Sequence, residues 1–232
     1  MEVKFIKASP TENMTLLIET PVAREKQLAV AERLIAYGSV YAEQAGYIEE
    51  AENPAAEKRL QMMAGEFCGN ASLSLAAWLA QKKNLQIGEK TEITLEVSGA
   101  EELVRCEMKR EAEHRFLGRV AMPLPQTIEK RAFTLDGERI ELTAVVFAGI
   151  THILVPASLW GENAVRKAEH AARVWAKELP PVFGLLLFDE KEKSLKPLVA
   201  VGDVSLIWER GCGSGTSAVG AYLAAREKKD VT

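Results

Sequence analysis

One stretch of the sequence occurs twice. Residues 68–80 read Cys68-Gly69-Asn70-Ala71-Ser72-Leu73-Ser74-Leu75-Ala76-Ala77-Trp78-Leu79-Ala80. Residues 212–224 read Cys212-Gly213-Ser214-Gly215-Thr216-Ser217-Ala218-Val219-Gly220-Ala221-Tyr222-Leu223-Ala224. Aligned without a gap, the copies share Cys, Gly, Ala, Leu and Ala. They exchange like for like at Asn70/Ser214, Ser72/Thr216, Leu75/Val219 and Trp78/Tyr222. Each copy is a cysteine, a turn of small residues and an apolar helix. The doubling predicts two related domains whose cysteines face each other across one small substrate.

The surrounding pattern repeats as well. Phe5 and Ile6, then Met14 to Glu19, read as strands broken by a polar loop. Asn13 in that loop is either a turn residue or a side chain pointed into a site. Leu28, Ala31, Leu34 and Ile35 share one face of a helix expected over residues 23–37, with Gly38 as its C-cap. A second helix is expected from Pro54 to Met63, capped by Asn53. Alternation predicts strands at 91–97, 103–108 and 116–122. Met122-Pro123-Leu124-Pro125 is the most linker-like segment, which divides the chain into domains 1–122 and 123–232.

In the second half, strands are expected at 140–147 and 153–155. An amphipathic helix follows over 162–178, stopped by Pro180 and Pro181. Val182 to Phe188 reads as a buried strand. Strands at 198–201 and 206–208 lead into Glu209-Arg210-Gly211-Cys212. The class is therefore α/β (α+β), with the extra helix at 54–63 arguing against an exact duplication.

Composition narrows the partners. Hydrophobic residues at 47% and charged residues at 27% suit a globular protein with a substantial core. A formal net charge of −4, with no basic stripe, argues against nucleic acid. The absence of a long apolar run argues against a membrane span, and Met1-Glu2-Val3-Lys4 lacks the pattern of a signal peptide. Three cysteines without a CxxC spacing disfavour a disulfide framework or a zinc site, so reduced thiols and a cytoplasmic location are expected.

The chemistry points to the two turns. A helix start offers unpaired N–H groups and the positive end of the dipole, which favour a thiolate and bind a carboxylate. Gly69 and Gly213 let a ligand approach the backbone. Two such turns could clamp one carboxylate, with a sulfur on each side of the attached carbon. One thiolate would remove the α-proton while the other thiol protonates the opposite face. Glu66, Glu209 and His152 are the candidates for adjusting the thiols. Each residue also has a plainer role open to it. A buried cysteine is usually a small hydrophobe, which is the expectation for Cys106. His152 could be a structural histidine, Glu66 and Glu209 could merely favour a helix start, and Arg210, a candidate for binding the substrate, could only pair with an acid.

At these residues the chain resembles the cofactor-independent racemase and epimerase superfamily of diaminopimelate epimerase and proline racemase. The matching segments are Phe5-Ile6-Lys7 with Asn13, Cys68-Gly69-Asn70-Ala71, Gly149-Ile150-Thr151-His152, and Glu209-Arg210 before Cys212-Gly213-Ser214-Gly215. The resemblance implies two pseudo-symmetric domains, each an antiparallel sheet curled around a central helix. It implies Cys68 and Cys212 as the acid/base pair and amides of Gly69, Asn70, Gly213 and Ser214 for the carboxylate. His152 and Glu209 would support the thiols and amino group, and Asn13 would line the site. A small-molecule amino acid is the implied partner, with neither pyridoxal phosphate nor metal, and a homodimer is the assembly considered. Ile150 stands where the diaminopimelate enzymes carry Asn, and the chain is shorter than theirs. It is therefore more similar to the histidine racemase branch.

The alternatives are a diaminopimelate epimerase, a phenazine-biosynthesis-type isomerase and a non-catalytic thiol protein. The phenazine type uses a carboxylate, which both cysteines argue against. The thiol protein would bind carboxylates or sense redox state.

Overall fold

The computed structural model describes residues 2–202 and 205–230, which fall into two compact units, Met1–Met122 and Pro123–Thr232.

The first unit holds seven strands: β1 (Phe5–Ala8), β2 (Thr15–Ile18), β3 (Gln44–Glu49), β4 (Lys58–Met62), β5 (Lys90–Val97), β6 (Val104–Ala112) and β7 (Arg115–Val120). They lie side by side in chain order in one sheet. Helix α1 (Arg24–Ile35) joins β2 to β3 and helix α2 (Gly69–Lys82) joins β4 to β5. Both of those pairs are parallel and the other four joins are antiparallel. The sheet is thus mixed where an antiparallel one was expected, because a helix crossover returns the chain to run in the same direction.

Strand alternation sends Leu17, Leu60, Met62, Ile93 and Leu95 to α2, which lies against β2 to β7. The opposite face meets α1, where the buried Tyr47 hydroxyl donates to the Gln27 carbonyl at 2.6 Å. α2 is buried on nearly all sides, which its Ala, Ser, Gly and Leu residues permit. Its buried hydroxyls are satisfied locally, Ser72 by the Cys68 carbonyl and Ser74 by that of Asn70. Each fully buried leucine here contributes roughly 1.5–3 kcal/mol by transfer out of water. Cys106 is fully enclosed in this core and its thiol is pushed up to about 12 by burial.

The helix expected at 54–63 is not formed. Asn53 Oδ1 accepts from the Ala55 N–H at 3.0 Å, a turn two residues long rather than a helix cap. Lys58 to Met62 then pair with β3 and with β5, so strand ladders on both sides override the local helical tendency. The chain therefore reaches Cys68 directly from a strand.

The second unit forms a six-stranded sheet in reverse chain order. Its strands are β8 (Thr127–Leu135), β9 (Glu138–Val146), β10 (Thr151–Pro156), β11 (Val182–Asp189), β12 (Ser194–Val201) and β13 (Ser205–Trp208). Helix α3 (Ala164–Trp175) crosses from β10 to its parallel neighbour β11, and α4 (Gly213–Glu227) follows β13. Asp136 and Gly137, both at positive φ, close the β8–β9 hairpin.

Ala168, Ala172 and Trp175 of α3 pack with Phe133, Ile153, Phe183 and Leu185. The Trp175 indole N–H donates to the Thr134 carbonyl at 2.8 Å. His152 and Gly184 alternate with Ile153 and Phe183 and so occupy the other face, where α4 meets β10 and β11. Covering both faces explains why β11 carries no charged residue from Val182 to Phe188. The order β1-β2-β3-β4 with α1 corresponds to β9-β10-β11-β12 with α3, and each unit carries one Cys-headed helix. The units are two pseudo-symmetric α/β halves.

Candidate active site

Cys68 is the N-cap of α2. Its backbone is extended (φ −134°, ψ 111°), its carbonyl accepts from Ser72 N–H at 3.0 Å, and its Sγ accepts from Ala71 N–H at 3.4 Å. Of the four N–H groups that a helix start leaves without helical partners, the cap's sulfur engages that of Ala71. Gly69 and Asn70 are the first two residues of the helix. An alanine at 69 would put its Cβ 2.9 Å from Met122 Sδ, so this glycine also makes room for a packed neighbour.

The Cys68 thiol donates to Gln44 Oε1 at 3.1 Å. Gln44 Nε2 donates to Thr15 Oγ1 at 2.8 Å and to Asn13 Oδ1 at 2.5 Å, and Asn13 Nδ2 donates to Glu43 Oε2 at 2.8 Å. Asn13 is completely buried, with Gln44 between it and the sulfur. The Pro10–Glu12 turn holds Thr11 and Glu12 at φ of 49° and 65°, and packs on the start of α2. From there the Thr11 hydroxyl donates to Asn70 Oδ1 at 3.4 Å. Glu66 is buried, which pushes its carboxyl up. Its carboxylate turns back to the Ala64 N–H at 3.0 Å, bracing the turn ahead of the cysteine.

Cys212 repeats the backbone arrangement at α4. It is extended (φ −114°, ψ 105°), with its carbonyl accepting from Thr216 N–H at 3.0 Å and its Sγ from Gly215 N–H at 3.4 Å. Gly213 and Ser214 are the first two residues of α4. The surroundings of the sulfur differ. Ser214 Oγ lies 3.6 Å from Sγ and 2.9 Å from His152 Nε2, making a sulfur–hydroxyl–imidazole line. Burial pushes the Cys212 thiol up, and the Glu209 carboxylate beside it pushes it further, against the pull of Ser214 and the Gly215 N–H. Arg210 is exposed on the approach to the turn.

His152 is fully buried and burial lowers it to about 3, so it is neutral at physiological pH. Its Nδ1 has no hydrogen-bond partner and lies against Gly184, where an added Cβ would sit 2.4 Å away. That contact decides why a glycine interrupts an otherwise apolar strand. Gln44, Thr15, Glu43, Thr11 and Gly184 were not singled out in the sequence. For Gly184 the signal was present, a lone glycine inside a strand; for Gln44 there was none.

Among the described residues, no three or more His, Cys, Asp and Glu side chains gather where a metal ion could be held, and no helix is long and apolar enough to cross a membrane.

The family model described as the histidine racemase CntK N-terminal domain matches residues 2–232. The chain belongs to that family. A histidine racemase of Fusobacterium nucleatum is 33% identical over 233 residues, spanning 97% of this chain and 83% of the relative. A probable proline racemase from Agrobacterium radiobacter, solved with bound carbonate, superimposes with a TM-score of 0.74 at 17% identity, covering 99% of this chain and 79% of that one. A hydroxyproline epimerase from Agrobacterium vitis, solved with trans-4-hydroxy-L-proline, gives 0.72 at 13% identity, covering 97% and 78%. At such identities the two structures show a shared fold. With the family established, this histidine racemase relative is an isomerase of the racemase and epimerase class.

Proposed function

We propose that the protein racemises histidine without a cofactor, with Cys68 and Cys212 as a paired acid and base. The observation that carries the reading is the matched geometry of the two sulfurs. Each caps a helix and accepts the N–H three residues on at 3.4 Å. The curated histidine racemase at 33% identity supports the choice of histidine.

In this mechanism the substrate carboxylate binds the N–H groups of Gly69, Asn70, Gly213 and Ser214. These carry the charge that spreads onto the carboxylate as the α-proton leaves. One sulfur, as thiolate, takes that proton and becomes a thiol. The other, as thiol, gives its proton to the opposite face and becomes a thiolate. The pair ends a turnover with its protonation exchanged, ready for the reverse reaction. Glu209 and the substrate ammonium are natural partners. Once paired with the ammonium, Glu209 no longer opposes the Cys212 thiolate, so the base forms as the substrate arrives.

The test is to incubate the protein with L-histidine in D2O, following Cα–H loss by NMR and D-histidine by chiral chromatography. Deuterium at Cα with growing D-isomer is expected. No exchange with histidine while another amino acid exchanges would remove the substrate, and no exchange with any amino acid would remove the activity.

A further inference from the structure

We propose that Gln44 is the positioning residue of Cys68, holding its sulfur as the proton-bearing thiol. An amide can present either its oxygen or its nitrogen, so the hydrogen-bond network must decide which one faces the sulfur. Here it is decided from the far end. The Glu43 carboxylate can only accept, so Asn13 must turn Nδ2 to it at 2.8 Å. That leaves Asn13 Oδ1 facing Gln44, which must answer with Nε2, the nitrogen that also reaches Thr15 Oγ1 at 2.8 Å. Gln44 Oε1 is then the atom left for the sulfur, 3.1 Å away.

A carbonyl oxygen accepts from S–H and repels S⁻, so a carboxylate two side chains away sets the direction of the bond at the thiol. Reversing one amide would set two acceptors against each other in a buried place. Gln44 is 8% exposed and Asn13 and Thr15 are 0% exposed, so water does not relieve the mismatch. In the chain, carboxylates flank this network at Glu12 in the β1–β2 turn, Glu43 ahead of β3 and Glu66 two residues before the cysteine, and each of them disfavours a thiolate. The pull towards the thiolate comes from the Ala71 N–H at 3.4 Å, against which the Gln44 oxygen acts.

The inference about the thiol stands on this network. Its use in catalysis rests on the two-thiol reading above, and the two can fail separately. The experiment is iodoacetamide labelling of the whole protein from pH 6 to 10, with the Cys68 peptide followed by mass spectrometry. Two variants are compared with the wild type. Gln44→Met keeps the volume and removes the acceptor, and Gln44→Glu keeps the shape and adds charge to it. The labelling midpoint of Cys68 is expected to fall in Gln44→Met, raising its labelling at pH 7.5 about three- to tenfold, and to rise in Gln44→Glu. The pH limb of kcat/KM belonging to Cys68 should move in the same two directions.

Buried Cys106 reports folding, because it labels only if the core opens. Should Gln44→Met unfold by that measure, the isosteric Gln44→Glu and the pH limb of its kcat/KM decide alone. A midpoint that stays put in a folded variant, or that moves the same way in both, overturns the proposal even in an active enzyme. Opposite movements support it even if histidine proves not to be the substrate.

Discussion

The two cysteine turns share a backbone and differ in what surrounds the sulfur. In both, an extended cysteine caps a helix, the N–H three residues on reaches Sγ, and a hydroxyl four residues on returns to the cysteine carbonyl. These features are local and follow from Cys-Gly followed by small residues and a Ser or Thr. The neighbours come from elsewhere. Gln44 on β3 offers Cys68 an uncharged acceptor, whereas Cys212 meets Glu209 and Ser214, whose hydroxyl is bonded in turn to neutral His152. The helices also differ in depth: α2 is buried along most of its length, while α4 buries Gly215, Ala218, Val219 and Leu223. A repeated segment thus retains the geometry its own atoms dictate, and its chemistry is tuned by strands outside it.

The largest effect expected tests whether the turns are equivalent in function. Cys68→Ser and Cys212→Ser should each lower racemisation by a factor on the order of 10³ or more, the scale of losing one positioned acid or base. Cys106→Ala should stay within about twofold, since that thiol is enclosed in the core. Chiral chromatography of D-histidine measures all three. Comparable activity in the three variants would end the two-thiol mechanism, and loss in only one turn would break the equivalence.

The next effect belongs to the Cys212 side alone. His152 titrates at about 3 in the fold against an ordinary 6.5. Between those values the unfolded chain binds a proton that the folded chain refuses. Its contribution is therefore complete above pH 6.5 and is lost as pH falls towards 3, by about 3–5 kcal/mol in all. Glu66 has the opposite sign, because its carboxyl is raised. Stability tied to it is present at low pH and lost as pH rises above the ordinary carboxylate range. His152→Gln, which can still reach Ser214, should flatten the acid limb of urea stability measured from pH 7 to 4. An unchanged limb would mean His152 is not held neutral.

Packing beneath the two turns should separate them by a smaller margin. Gly184→Ala brings a Cβ to 2.4 Å from the ring of the completely buried His152. About 2–3 kcal/mol of destabilisation is expected, read as a lower Tm. Gly69→Ala meets the flexible end of Met122 at 2.9 Å, so about 1 kcal/mol is expected. The reverse order would show that the His152 face is the looser of the two.

What the sequence disclosed follows the same division. Both Cys-headed helices, the outer helices α1 and α3 and most strands were legible because periodicity and caps are local. β3, β4 and β8 were not. β3 holds the apolar segment Ala45-Gly46-Tyr47-Ile48, too short to announce itself between α1 and the turn before β4. β4 reads as a helix in the sequence because the strands that pair with it, β3 and β5, lie outside its own segment. β8 is hard to read although Asp136-Gly137 marks its hairpin, since Ile128 is the one apolar residue in 127–131 and no alternation forms there. The candidate site suffered in proportion. Cys68, Cys212 and His152 could be singled out, whereas Gln44 lay on a strand that had gone unrecognised. Asn13 was visible as a loop residue, but its place behind Gln44 depends on how β2 and β3 align.

The smallest effect tests the feature on which the two turns agree most closely. Ser72 Oγ donates to the Cys68 carbonyl at 2.8 Å, and Thr216 Oγ1 to the Cys212 carbonyl at 2.9 Å. In each turn that carbonyl keeps a second donor, the backbone N–H of the same residue. Removing the hydroxyl therefore leaves no buried acceptor unpaired, and the loss is the net worth of one hydrogen bond, about 1 kcal/mol or less. The two sites should still differ. Ser72 is completely buried and cannot exchange its bond for one to water, whereas Thr216 is exposed and can. Ser72→Ala should lower stability by about 0.5–1 kcal/mol and Thr216→Ala by about half that or less in paired urea titrations. Equal losses would mean that the hydroxyl holds the cysteine's backbone in place irrespective of solvent. The shared geometry would then owe as much to that residue as to the cap.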